Sequence, residues 1–406
     1  MTREASCCIL SPFGRQQGGA ELSLLHLLRH GRGMGVRWSL ALLEDGPIRE
    51  EADALGLETL VLPPCRTRDV RGMARATRQL TRMIKDQHAQ LLISWMAFTH
   101  FRGCLAAMAA RVPSVWFQKG GAHADSWTER VLGKLPTRAI FANSLPTAHA
   151  QRVHSPRTPM FVIPSAVDLS SFDPVQLGSP ADNRRRLGLP EDFPLICIVG
   201  RLQAWKGFDV LIRSLPAVHA HRPDARVVIV GGKHDREPDH LRDLQQLADQ
   251  LGVRDQVIFA GAQPHEQVPR YMQAADVIVN ASRDEPFGIV VVEGMGLGKP
   301  VIGTKPGGPA WVIEDGVNGL LVDYGEPDPL ATAIGRALSG EIESARAQDR
   351  AKTFSEQAFV RRMTDATVQC IQGRPDPGIW FDDQRMPEPM TGVTPSSVPC
   401  DPSKSP

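Results

Sequence analysis

Apolar residues in this chain fall into short runs, separated by longer stretches in which they recur every three or four positions. In the first half, runs at 6–10, 37–43, 59–62, 91–98, 114–118 and 139–142 predict buried strands, and 161–168 closes that half. In the second half, 195–199, 226–230 and 256–260 do the same, and 271–282 continues the alternation. Helical spacers lie between them. Leu24, Leu25 and Leu28 share one side of a helix opened by Gly18-Gly19, Val210, Leu211 and Leu215 follow the 195–199 run, and another helix is expected near 239–251. Strand–helix alternation of this kind predicts α/β architecture with doubly wound parallel sheets.

Two stretches need separate treatment. Residues 289–292 (Ile-Val-Val-Val) are β-branched and favour a strand, yet a polar turn and Gly288 stand before them as at a helix start. The residues alone leave both readings open. In 68–85, Arg68, Arg71, Arg75, Arg78, Arg82 and Lys85 recur at helical spacing, opposite Val70, Met73, Leu80 and Ile84. That face is either a solvated outer helix or a surface for anionic lipid heads or an anionic acceptor, each cation contributing about 1 kcal/mol near such a membrane.

Length and composition narrow the picture. At 406 residues the chain suits two domains, and 42% hydrophobic with 22% charged residues is the balance of a soluble protein. The 46 Lys and Arg nearly cancel the 45 Asp and Glu, so no basic field argues for nucleic acid. The N-terminal residues lack a signal-peptide layout, and no apolar run approaches the roughly 18 residues of a membrane span. Seven cysteines without regular spacing point to a reducing, cytoplasmic setting, and no paired Cys–His ligands suggest zinc. We expect a first domain at 1–173, a linker at 174–193, a second domain at 194–353, a terminal helix at 354–372 and a Pro-rich disordered tail at 373–406.

The densest chemistry lies between 282 and 321. Glu285 and Glu293 are eight positions apart, Pro286-Phe287-Gly288 follows the first, and a glycine pair stands at 307–308. Were a helix to begin near Gly288, its free amides would face an anion beside Glu285, with Glu293 about 7–8 Å further along the axis. Carboxylates beside hydroxyls accept paired hydrogen bonds, as sugar and ribose hydroxyls offer. As a strand, the two glutamates would only be polar edges. Elsewhere, Gly18-Gly19 opens a strand-to-helix turn, and Arg201 and Lys206 occupy another after Gly200. The G-x-G-x-x-G fingerprint is absent from the first turn, which counts against a dehydrogenase.

The E-x7-E pair with PFG, the following G-x-P-V and Gly-Gly, the GGAE at 18–21 and the G-R-x4-K-G at 200–207 together resemble retaining glycosyltransferases of family 4. The resemblance spans roughly 6–372 and is strongest over 195–322. It implies the GT-B architecture, two Rossmann-like domains facing a cleft, and decides 289–292 in favour of a helix. By this likeness Glu285 holds sugar hydroxyls and Glu293 the ribose. The diphosphate falls to Gly19 and the amides of Gly288 and Ile289, the leaving charge to Arg201 and Lys206, and Gly18 and Phe287 also belong to the donor site. The turn at Gly261 and Ala262 contacts the nucleobase. The implied reaction moves a hexose-type sugar from a nucleotide-diphosphate sugar to a glycan or lipid-linked glycan, with no metal and no cofactor, as in envelope polysaccharide or lipopolysaccharide synthesis. The enzyme would be cytoplasmic or peripheral to the inner membrane face.

Five positions depart from the pattern. Lys119 stands where relatives carry a histidine near the transferred sugar, with His123 four residues on. Ser165-Ala166 replaces Asn-Gly, Gly294 replaces Ala, and Trp311 replaces Glu. Lys119, Gly294 and Trp311 motivate an alternative, a nucleotide-sugar-binding protein with little or no transferase activity. A third reading, an epimerase or phosphorylase of the same fold, fits less well: a phosphorylase would need a cofactor lysine, and an epimerase has no need of the G-R-x4-K element.

Overall fold

The computed structural model describes residues 4–16, 18–66, 68–120, 126–373, 375–382 and 384–386. Its strands are β1 (Ala5–Ser11), β2 (Val36–Leu42), β3 (Glu58–Val61), β4 (Leu91–Trp95), β5 (Ser114–Gln118), β6 (Ala139–Ala142), β7 (Met160–Val162), β8 (Leu195–Val199), β9 (Arg226–Val230), β10 (Val257–Gly261), β11 (Val277–Asn280), β12 (Val301–Lys305), β13 (Leu320–Asp323), β14 (Ile379–Phe381) and β15 (Gln384–Met386). They form a nine-stranded sheet, ordered β15-β14-β7-β6-β5-β4-β1-β2-β3, and a six-stranded sheet, ordered β10-β9-β8-β11-β12-β13. Every pairing is parallel except the β14–β15 hairpin.

Two compact units result. The first contains the described residues within Met1–Gln16, Arg32–Ile163 and Thr364–Pro406, the second those within Gln17–Gly31 and Pro164–Met363. In the six-stranded sheet, alternate side chains go to different cores, as a period of two dictates. Ile196 and Ile198 join the core beneath the helices Phe208–His219 and Pro327–Leu338, while Leu195 and Cys197 join the one beneath Ile289–Gly296. With both faces covered, these strands read as continuous apolar runs. That is why they stand out in the sequence.

Several boundaries differ from expectation. The 91–98 run splits because Met96 adopts φ 71° and caps the helix Ala97–Ala110, so β4 ends at Trp95. The 271–282 run is the end of the helix Val268–Ala274 followed by β11. The residues expected as a linker fold as two short helices, Pro174–Leu177 and Pro180–Leu187. Arg184 fastens them to the second unit by donating to the Ala274 carbonyl and pairing with Asp276 at 2.7 Å. The first long helix, Gly19–His30, groups with the second unit rather than with the strands flanking it in sequence. The Pro-rich segment is not wholly unstructured. Ile379 and Trp380 pair with Met160 and Phe161, because an apolar pair beside an open parallel edge completes its hydrogen-bond ladder. Residues 387–406 lie outside the described residues.

The basic helix forms over Val70–Asp86, with Met73, Ala76, Leu80, Met83 and Ile84 buried and all six cations exposed. Val70, expected on the apolar side, is 78% exposed because it opens the first turn before the core begins. No helix among the described residues is long and apolar enough to cross a membrane.

Candidate functional site

The helix reading of 289–292 is the one adopted. The chain leaves β11, turns through 281–288 and enters the helix Ile289–Gly296, with Gly288 in the left-handed region at φ 92°. Its β-branched residues tolerate this because Val291 and Val292 are buried against the sheet, where packing outweighs a weak local preference. The first amides of the helix have no acceptor of their own within it. Free amides at a helix start are where an anion can be held.

Glu285 sits in the turn before this helix and is held from several sides. Its Oε2 pairs with Lys206 Nζ at 2.6 Å and accepts from Ser282 Oγ at 3.1 Å and Asn280 Nδ2 at 3.4 Å. Burial alone would raise its pKa. The charge of Lys206 and the three hydrogen bonds outweigh burial and hold it below the ordinary value. Asn280 and Ser282 were not singled out in the sequence, although polar residues closing an apolar strand run were the available signal. Lys206 also lies 4.1 Å from the Trp205 ring centroid. The two loops are tied by Arg283 N donating to the Trp205 carbonyl at 2.7 Å, and Glu237 accepts from Ala204 N at 2.7 Å. Gly207 caps the next helix at φ 71°, where any side chain would run into the Ala281 carbonyl. Arg201, five residues before Lys206, is exposed and has no ion pair among the described residues.

Glu293 is buried on the same helix, and burial pushes its carboxyl up to about 8. It thus favours its protonated form near neutrality, which suits a group facing hydroxyls rather than a cation. The Gly18-Gly19 turn belongs here too. A Cβ on Gly19 would overlap Ile289 Cδ1, so the first turn of Gly19–His30 abuts the start of the Glu293 helix. Gly307 and Gly308 close the other side: Gly308 N donates to the Glu285 carbonyl at 2.6 Å, and a Cβ on Gly308 would strike the backbone of Phe287. Gly261, at φ 73°, ends β10, its carbonyl accepts from Gly231 N, and Ala262 follows it at the surface.

The remaining predicted positions sort differently. Phe287 is 2% exposed and packs on Phe354 and Trp311, with ring centroids 5.4 and 6.4 Å away. Its side chain is thus taken up by packing. Trp311 completes this aromatic trio at 5.6 Å from Phe354, so the departure at 311 supplies packing under the glycine turn. At Gly294, a Cβ would meet Val301 and Ile278, so the sheet's own side chains fill the space an alanine would take. Lys119 belongs to the first unit, is 7% exposed, and carries its ammonium 4.3 Å from the Phe117 ring centroid and 5.3 Å from that of Trp95. His123 lies outside the described residues.

Comparison with known proteins follows the same division. The family profile described as "Glycosyl transferases group 1" matches residues 180–354, and "Glycosyltransferase Family 4" matches 17–171. D-inositol 3-phosphate glycosyltransferase of Xylanimonas cellulosilytica is 37% identical over 222 residues, covering 53% of this chain and 52% of that protein. The enzyme of the same name from Acidothermus cellulolyticus is 40% identical over 184 residues, covering 44% and 40%. The chain thus spans about half the length of the curated relatives it matches. Among solved structures, Anabaena HepE in complex with UDP superposes with a TM-score of 0.77 at 24% identity, over 89% of this chain and 99% of that one. Sucrose-phosphate synthase of Thermosynechococcus elongatus gives 0.74 at 21%, over 91% and 99%. At these identities the structures establish a shared fold, GT-B.

Proposed function

Because the chain belongs to the group 1, family 4 glycosyltransferases, we propose that it transfers a hexose-type sugar from a nucleotide-diphosphate sugar to a hydroxyl acceptor, with retention at the anomeric carbon. One observation carries this reading. Glu285, Lys206, the Gly288 helix start and the Gly18-Gly19 turn converge within one unit, although they come from distant stretches of the chain.

The residues divide the work as follows. The amides at Gly288 and Ile289 cradle the diphosphate, with Gly18 and Gly19 admitting it closely. Lys206 and Arg201 stabilise the negative charge that grows on the diphosphate as the glycosidic bond breaks. Fixed cations aimed at that charge favour the transition state over the ground state. Glu285 accepts sugar hydroxyls, Glu293 faces the ribose, and the Gly261-Ala262 turn meets the base through its backbone. The departing phosphate takes the acceptor proton, so no covalent nucleophile is assigned, and fixed cations stand in for a bridging metal.

HepE has been seen with UDP and with UDP-glucose, so UDP-sugars are the first donors to try. Relatives named for inositol 3-phosphate suggest a phosphorylated polyol alongside glycan and glycolipid acceptors. Incubating the chain with UDP-, GDP- and ADP-sugars and this acceptor set should release nucleotide with one donor, and NMR of the product should show the donor's anomeric configuration. Tight donor binding without turnover on any acceptor would favour a binding protein instead, and an inverted product would remove the retaining mechanism.

A lipid-linked acceptor is supported by a second observation in the first unit. Phe98, Phe101, Leu105 and Met108 recur at helical spacing along Ala97–Ala110 and are exposed. A shallow groove lined by Arg78, Thr81 and Leu105 joins this stripe to the basic helix. Together they offer apolar anchors beside cations, the combination that holds a protein at an anionic bilayer. Sedimentation with anionic but not neutral liposomes is expected, and equal recovery with both would remove the membrane from the account.

A further inference from the structure

The helix Gly19–His30 carries two histidines one turn apart, His26 and His30, and Glu356 opens the helix Glu356–Gln372. All three lie in the second unit and outside the donor clamp. The Glu356 oxygens divide between the two rings. Oε2 is 2.8 Å from His26 Nδ1, and Oε1 is 3.7 Å from His30 Nε2. The rings stack with centroids 6.3 Å apart, and one ligand atom from each residue lies within 4.8 Å of the other two.

The decisive feature is His26. It is 3% exposed, and neither ring nitrogen makes a hydrogen bond among the described residues, even though a carboxylate oxygen stands 2.8 Å from Nδ1. The approach lacks the alignment of an N–H donor with its acceptor. Two electron-pair donors are close without pointing at each other, as ligands around a shared centre are. Buried imidazoles rarely go unpartnered, so this arrangement calls for a third party.

We propose that His26, His30 and Glu356 bind one divalent cation of the Zn2+ type, through one nitrogen of each imidazole and a carboxylate oxygen. The ligand set suits it, since nitrogen and oxygen donors serve zinc, whereas calcium and magnesium prefer oxygen alone. Metal–ligand bonds of about 2.0–2.2 Å in a tetrahedron place the ligand atoms roughly 3.3–3.5 Å apart. The observed separations of 2.8 and 3.7 Å bracket that value. His30, with its side chain 49% exposed, leaves an entry path and a fourth position for water. Asp168 brings negative charge to the same neighbourhood and opposes that of Arg29. Such a site acts as a clip. It fastens the helix that begins at Gly19 to the start of the helix that begins at Glu356, and so steadies the turn abutting Ile289.

The test needs neither donor nor acceptor. The full chain is stripped with a chelator, Zn2+ is titrated against a chromophoric competitor, and thermal unfolding is followed with and without one equivalent. One Zn2+ should bind per chain and raise the unfolding temperature. His30→Ala and Glu356→Gln should each weaken binding by at least ~10-fold and abolish the rise. His30 is half exposed, so its variant should keep the parent's circular dichroism spectrum. No binding by the parent overturns the proposal. So does binding by both variants as tight as the parent's, which would point to the cysteines instead.

Discussion

Lys206 and Arg201 show how two residues with one proposed role can differ in what they do for the fold. Lys206 is paired with a largely buried carboxylate, whereas Arg201 is exposed and has no ion pair among the described residues. Among the described residues, Lys206→Ala leaves the Glu285 carboxylate with Asn280 and Ser282, so it should cost about 1–3 kcal/mol in urea unfolding. Arg201→Ala should stay within ~0.5 kcal/mol of the parent, as exposed substitutions do. Equal losses in the two variants would mean that the ion pair adds nothing to stability. Glu293 gives a pH signature. Its carboxyl is raised from 4.5 to about 8 in the folded chain, so the native state holds a proton that the unfolded state releases. The stability it contributes is full below pH 4.5 and is lost as pH rises through 8. Glu293→Gln should therefore gain stability relative to the parent between pH 5 and 8, read as the difference in unfolding midpoints. A difference that does not vary with pH would show that Glu293 is already ionised. In the sequence, Glu285, Glu293, Arg201 and Lys206 stand out through the motifs that carry the family resemblance. Asn280, Ser282 and the His26–His30–Glu356 cluster were not, because their meaning comes from residues far away in the chain.

At the scale of elements, what could be read depended on burial. Strands covered on both faces, such as β8 and β9, stood out as unbroken apolar runs. Residues 289–292 looked equally apolar and proved helical, since a buried helix and a buried strand share that pattern when short. Glycines settle the difference only in three dimensions. Gly288 supplies the left-handed entry, and Gly294 lets the helix sit against Val301 and Ile278. Gly294→Ala, though it restores the residue common in the resembled family, should therefore cost about 1–3 kcal/mol from overpacking, measured by urea unfolding. A stabilised variant would show that the sheet relaxes to accept the methyl. Composition was a poor guide to β14 and β15, because proline content around them concealed an apolar pair that completes an open sheet edge.

For the whole molecule, a length suited to two domains and the strand–helix alternation anticipated two α/β units, and both sheets are there. Unit boundaries were less legible: contacts draw 17–31 and 164–193 into the second unit, which no local pattern announces. On the proposed function, the second unit carries most of the motifs because a diphosphate demands fixed cations and free amides, whatever sugar it bears. Acceptor recognition makes no such uniform demand, and the first unit is correspondingly quiet. The measurement closest to the central claim is nucleotide release from the active donor–acceptor pair by the parent, Arg201→Ala and Lys206→Ala side by side. The account predicts turnover by the parent and a fall in kcat of about 10²–10³ in each variant, with both still folded. Parent-like rates in the two variants would contradict it.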